Sequence, residues 1–213
     1  MLRNAGRRRR SDSIPALSQR RRDLGVLRVE DAEGAPQRHL LRRAEPPDRS
    51  GGEAVALTVW RKSLLFNCDG FTVFDSCGDL VYRVDNYTSG SKGEIVLMDA
   101  TGVPLLAVRR KETTNPLFSA KKHVQLLQHK ALAQVTQRNA AGGRGGSYDI
   151  EGSYSQRCCA VYDENRQMMA EIKRKEAVKG VALGVDVFRL VVQPGFDPAV
   201  AMAMVILLEQ MFG

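Results

Sequence analysis

The side chains able to do chemistry are few, and their spacing does not favour it. The histidines are His39, His123 and His129. The last two lie six apart, which on a strand puts them on one face but well separated, and no further ligand stands near them to hold a metal. Cys68, Cys77, Cys158 and Cys159 show no C-x-x-C spacing, and the adjacent pair must point to opposite faces of a strand. Zinc and a disulfide framework are therefore not expected, and the usage suits a reducing compartment. Asp75, Asp99 and Asp163 recur at the heads of short turns, where calcium is conceivable, yet each has a turn role without an ion and no EF-hand loop is present. "GGRGGS", from Gly142, lacks the Lys-Ser/Thr of a phosphate loop, and no Ser/His/Asp or Cys/His constellation can be argued from spacing. The sequence predicts a non-enzymatic protein with no cofactor and no metal.

Basic clusters remain: Arg109, Arg110 and Lys111; Lys121 and Lys122; Lys173, Arg174 and Lys175, with Lys179 beyond. Alternation on a strand sends Lys173 and Lys175 to one face and Arg174 to the other, unless the strand is ending. One reading is a rim that grips an anionic headgroup by charge-assisted hydrogen bonds, each Lys or Arg contributing about 1 kcal/mol near an anionic surface. The other is a solvated face that blunts sheet edges. A protein partner is a further possibility for the same surface.

These clusters need elements to position them. From Ala54 onward the chain breaks into short runs rich in Val, Leu, Tyr and Phe, separated by Asp, Gly and Asn, the pattern of strands and tight turns. "FTVFDSCGDLVYRVDN", "EIVLMDATGVPLLAVRR" and "CAVYDENRQMMAEIKR" each read as a strand, an Asp, a turn and a second strand. Asp75 and Gly78 have the same spacing as Asp99 and Gly102, as expected when Asp starts a turn and Gly takes its left-handed position. The third unit has Asp163, Asn165 and Arg166 instead, and Asn tolerates that backbone. "HVQLLQHK" and "ALAQVTQ" read as further strands, "GGRGGS" as a flexible surface loop, and "SYDIEGSYSQ" and "GVDVFRLVVQP" as the last of an antiparallel series.

The chain then runs into "FDPAVAMAMVILLEQMF", Phe196 to Phe212. Asp197 suits a helix N-cap and Pro198 the first helical position. Every residue from Ala199 to Leu208 is apolar, so a helix over 197–212 has no polar face and must be enclosed. A bilayer span needs about 20 apolar residues, and Asp197, Glu209 and Gln210 bracket a shorter run, so no transmembrane segment is predicted. Residues 54–195 leave room for about twelve strands. A barrel of that size has space for a helix roughly 10 Å across, which predicts a closed antiparallel β-barrel around the C-terminal helix.

Residues 1–53 are different in kind: thirteen Arg, no Lys, eight acidic residues and no aromatic. "RRRRSDSIPALSQRRR" cannot bury enough apolar surface to fold alone, so a disordered arm over 1–53 is expected, with the barrel over 54–213. The same stretch also suits an organelle transit peptide or a nuclear signal, and a nuclear regulator touching nucleic acid through the arm is the alternative function. No secretory signal is visible, and an intracellular place, in the cytoplasm or at the membrane periphery, is expected.

Five segments carry a resemblance. "LTVWRKSLLF" (57–66), "DGFTVFDSCGDLVYRVDNY" (69–87), "GEIVLMDATGVPLL" (93–106), "NPLFSAKKHVQLL" (115–127) and "VFRLVVQPGFDPAVAMAMVILLEQM" (187–211) are similar to the plant LURP-one-related family. That family resembles the C-terminal domain of tubby proteins and the phospholipid scramblases. The resemblance implies a twelve-stranded barrel around a hydrophobic helix, phosphoinositide binding within the wider superfamily, and a link to plant defence. One departure stands out: members of the family usually carry a segment of the type L-S-L-x-D-x-W-x-V-Y after the equivalent of "AVRRK", whereas here Lys111 is followed at once by "ETTNPLFS". A strand is expected to be missing there, leaving a gap of the kind a shortened splice or gene-model product would carry.

Overall fold

The computed structural model describes residues 26–33, 52–64, 69–86, 94–110, 116–123, 131–138, 144–176 and 184–213. Its strands are β1 (Leu27–Asp31), β2 (Val55–Trp60), β3 (Asp69–Phe74), β4 (Leu80–Asn86), β5 (Glu94–Asp99) and β6 (Pro104–Arg109). They continue with β7 (Phe118–Lys122), β8 (Ala131–Arg138), β9 (Arg144–Ser153), β10 (Cys158–Tyr162), β11 (Met168–Arg174) and β12 (Val187–Val192), before helix α1 (Pro198–Phe212). All neighbouring pairs are antiparallel, and the sheet closes in the order β1-β6-β5-β4-β3-β2-β12-β11-β10-β9-β8-β7.

Period-two alternation explains the wall. Leu57 and Val59 of β2, and Phe188, Leu190 and Val192 of β12, turn inward and are buried, while Thr58 and Arg189 face out. Inside lies α1, with every residue from Ala199 to Leu208 buried. The Asp197 carboxylate accepts from the N–H groups of Ala199 at 2.6 Å and Val200 at 3.3 Å, capping the first turn as the sequence predicts. The helix without a polar face is thus a plug surrounded by its own sheet.

The hairpins form where the Asp–Gly spacing predicts them. In the β3–β4 turn Asp75 Oδ1 accepts from Cys77 and Asp79 N–H, and Gly78 has φ +91°. In the β5–β6 turn Asp99 Oδ1 accepts from Thr101 and Val103 N–H, and Gly102 has φ +91°. The β10–β11 turn repeats this with Asp163, but Arg166, at φ +63°, takes the left-handed position, not Asn165. Position, three residues after the Asp, outweighs residue preference, and Arg166 is held by Glu151 at 2.8 Å and by the Tyr162 ring. A Cβ at Gly78 meets nothing within 4 Å, so Gly78→Ala should cost only its backbone strain, about 1 kcal/mol. At Gly152 (φ +111°) a Cβ would stand 2.2 Å from the Cys158 carbonyl oxygen, so Gly152→Ala should cost several times more; thermal melts of the two variants compare them directly.

Two further expectations are corrected. "GGRGGS" is not loop throughout, since β9 begins at Arg144 and Ser147 N–H donates to Glu164 Oε1 at 3.0 Å. More consequentially, Leu27–Asp31 lies inside the stretch read as a disordered arm, yet it is a barrel strand. Leu27 and Val29 alternate into the core at 3% and 1% exposure, and the strand sits between β6 and β7, the place where a strand missing after Lys111 is expected to leave a gap. The gap is closed from the other end of the sequence. The rest of the 1–53 arm, apart from residues 26–33 and 52–53, lies outside the described residues, as do "HVQLLQHK" beyond His123, Cys68, His39 and His129.

Candidate functional site

The strand directions give the barrel two chemically different ends. At the end where α1 begins lie the turns headed by Asp75, Asp99 and Asp163, with Asp79 and Glu164 beside them. Strands β2, β6, β7 and β11 finish at the opposite end, where α1 terminates, and carry their basic residues to it. All the described basic candidates except Lys175 belong to that rim.

Arg110 Nη2 donates to the Gln210 carbonyl at 3.3 Å, and Lys122 Nζ donates to the Met211 carbonyl at 2.9 Å while standing 4.2 Å from the Phe212 ring centre. The last turn of α1 has no basic residue of its own, so these two cations from the wall meet its unsatisfied carbonyls and the negative end of its dipole. A lysine ammonium carries three N–H donors, so Lys122 retains donors beyond that one bond. Lys121 is exposed. Arg109 is committed elsewhere: it sits between Glu30 (2.9 Å) and Glu94 (2.7 Å), and Lys111 lies outside the described residues. Lys173 pairs with Glu171 at 2.8 Å, and Arg174 donates to the carbonyl and side-chain oxygens of Gln156. Because β11 ends at Arg174, both stay at the surface. Lys175 folds along the outer wall to Thr58 Oγ1 at 3.0 Å.

The candidates therefore do not converge. Around the closed sheet, β7 and β11 are four positions apart, β11 and β2 two, and β2 and β6 four. At about 4.8 Å per strand, four positions span roughly 19 Å of wall. No single headgroup is gripped by all of them; they form a ring.

Sequence reasoning missed the part of this rim contributed by β2. Trp60 (40% exposed) and Val185 (44%) belong to neighbouring strand ends there, since Trp60 pairs with Val187 and Arg61 N–H donates to the Asp186 carbonyl at 2.7 Å, and the exposed Leu64 (52%) follows four residues after Trp60. Lys62 Nζ lies 5.2 Å from the Trp60 ring centre. Beside them a cavity of about 460 Å³ opens between Arg61, Lys62, Asp69 and Glu209, and its floor reaches Phe71 and Ile206. A signal existed in "VWRKSLL", which mixes an aromatic, two cations and two leucines at a strand end, but its exposure is a property of the closed barrel.

Below this rim lies a buried polar cluster that was also not foreseen. Glu209 accepts from Arg61 at 2.7 Å and from Tyr154 Oη at 2.9 Å, with Arg157 Nη2 at 4.0 Å. Arg157 is 5% exposed, has φ +51°, lies between the rings of Tyr154 (4.2 Å) and Phe188 (4.6 Å), and donates through Nε to the Val185 carbonyl. Its Nη1 is buried without a hydrogen-bond partner. Burial, reinforced by the Glu209 carboxylate, pushes the Tyr154 phenol far above its ordinary range, so it stays a donor. Cys159 faces inward and Cys158 outward, as the alternation predicts; burial pushes the Cys159 thiol up to about 12, which makes it inert packing rather than a nucleophile. Among the described residues no group of His, Cys, Asp and Glu is arranged to hold a metal, and no helix is long and apolar enough to cross a membrane.

A closed antiparallel barrel plugged by its own C-terminal helix defines the class to which this molecule belongs. A crystal structure of an Arabidopsis thaliana protein shares the fold at a TM-score of 0.52 and 22% identity, over 74% of this chain and 90% of that one. The sequence matches the LURP-one-related family over residues 55–209, and the chain belongs to that family. It is 49% identical to protein LURP-one-related 8 of Arabidopsis thaliana, over 75% of this chain and 88% of that protein. It is 40% identical to LURP-one-related 17 of the same plant, over 76% and 85%.

Proposed function

We propose that this chain is a non-enzymatic binding module that docks end-on against an anionic phospholipid surface, phosphoinositide-bearing membrane included, through the rim where α1 terminates. The observation that carries this reading is a bias of charge between the two ends, which Arg138, Arg144 and Arg166 at the acidic end and Asp69, Glu94 and Asp186 at the basic end reduce but do not cancel. Arg61, Lys62, Arg110, Lys121, Lys122, Lys173 and Arg174 ring one end of the barrel, while the Asp-headed turns occupy the other. A ring of cations spread over roughly 20 Å suits a plane of headgroups better than one small ligand. Among the described residues six large apolar side chains are exposed, and they divide evenly between the ends. Charge separates the two sets: Val55, Val103 and Met168 stand at the acidic end, whereas Trp60, Leu64 and Val185 stand beside Arg61 and Lys62, as at a membrane interface. A tethering role in plant defence signalling rests on the family alone.

Sedimentation with vesicles of phosphatidylcholine, with and without phosphatidylserine or a phosphoinositide, tests the reading. Wild type should pellet with the anionic vesicles only. Removing three rim cations in Lys62→Ala/Arg110→Ala/Lys121→Ala should weaken binding about 100-fold, at about 1 kcal/mol each, and Asp79→Asn at the other end should change nothing. Equal pelleting of wild type and the triple variant would discard the rim. Trp60 is the sole tryptophan, so a blue shift of its emission on pelleting vesicles reports directly whether this end faces the lipid.

A further inference from the structure

One strand of the barrel is unlike the others. Strands β2 to β12 follow one another round the wall in sequence order, whereas β1 is out of order, inserted between β6 and β7. It also lies outside residues 55–209, over which the family match runs. It pairs through Arg28–Asp31 with Leu106–Arg109 on one side and through Leu27–Val29 with Phe118–Ala120 on the other. The slot it fills has a defined reading. Two apolar side chains alternate inward at Leu27 and Val29, and an acid at Glu30 meets Arg109 at 2.9 Å outside.

We propose that the β6–β7 slot is a strand-acceptor site that takes β1 from a second copy of this chain as well as from its own. The slot accepts an identical strand by construction, so exchange between two copies repeats every contact in a two-fold arrangement and needs no new surface. Chain connectivity permits it. Residues 32–54 join β1 to β2, which sit five strand positions apart, with Asp31 and Val55 at the same end of the barrel. Twelve strands spaced about 4.8 Å and tilted about 40° make a barrel roughly 24 Å across, so the two ends of that connection lie roughly 23 Å apart. Twenty-three residues reach up to about 75 Å, leaving slack for either arrangement. With such a connection the chain's own β1 competes at an effective concentration in the millimolar range, so exchange sets in as the protein itself approaches that concentration. This inference is independent of what the basic rim binds.

The full chain tests it by cross-linking. Arg28 and Ser119 are register partners across β1 and β7. In a background of Cys68→Ser, Cys77→Ser and Cys158→Ser, one sample carries Arg28→Cys and another Ser119→Cys. Mixed and oxidised, they should form a disulfide joining position 28 of one chain to position 119 of another, identified by mass spectrometry, with a yield that rises with concentration to about half near the millimolar range. The double variant should close the same bond within one chain at micromolar concentration. Absence of the interchain bond at all concentrations, or failure of the double variant to close, overturns the proposal. A second variant lacking residues 34–52 leaves about 17 Å of reach, too little to cross the barrel, and should be a dimer by light scattering at micromolar concentration. A folded monomer in that case also overturns it.

Discussion

Glu209→Ala is expected to lower the unfolding free energy by about 3–5 kcal/mol, a large part of the roughly 5–15 kcal/mol that holds a domain together. The size follows from what is left behind. Without the carboxylate, Tyr154 loses its acceptor, and the Arg157 guanidinium, already short of one partner, remains as an uncompensated buried charge. Arg61→Ala removes the other side of the same contact but from a side chain 45% exposed, and should cost less than about 1 kcal/mol. Glu209→Gln keeps an acceptor for Tyr154 and should fall between the two. Urea denaturation followed by far-UV circular dichroism ranks the three; an alanine at 209 no worse than one at 61 would show that the cluster does not anchor the helix.

The largest effect belongs to the plug itself. Met202 is 0% exposed in the middle of α1, with sheet on every side, so no route leads a charge there to water. Met202→Lys should abolish cooperative folding, because burying an unpaired ammonium costs more than the domain's whole net stability. Met202→Leu, nearly equal in volume, should cost less than about 1.5 kcal/mol and retain a sharp thermal transition. A Lys variant with native near-UV circular dichroism would mean that α1 has access to solvent, and the enclosed plug would have to be abandoned.

How far the sequence announced this structure depended on the range of the interactions involved. The plug was legible because ten consecutive apolar residues leave a helix no face for water. The first two hairpins were legible because Asp and Gly do their work within four residues. The third turn was legible as a turn but not in its detail, since Arg166 holds a left-handed backbone through Glu151 and Tyr162, partners set by the neighbouring strands. β1 was hidden for a related reason: two apolar residues in five are too short an alternation to stand out of an Arg-rich stretch, and its partners lie about eighty residues away. The basic candidates were found as clusters, but whether they gather, disperse or pair depends on strand direction, which no single cluster encodes. Arg109 in particular reads as a free cation and is instead clasped by Glu30 from the unforeseen strand and Glu94.

The out-of-order strand also settles a question of parity. A ring in which every neighbour runs the opposite way needs an even number of members, and β2 to β12 are eleven. Seating β1 between β6 and β7 makes the count even and lets those two point alike. Had β7 lain directly on β6, it would run the other way and carry Lys121 and Lys122 to the far mouth, among the aspartates. One small insertion thus decides at which mouth of the cylinder two lysines stand.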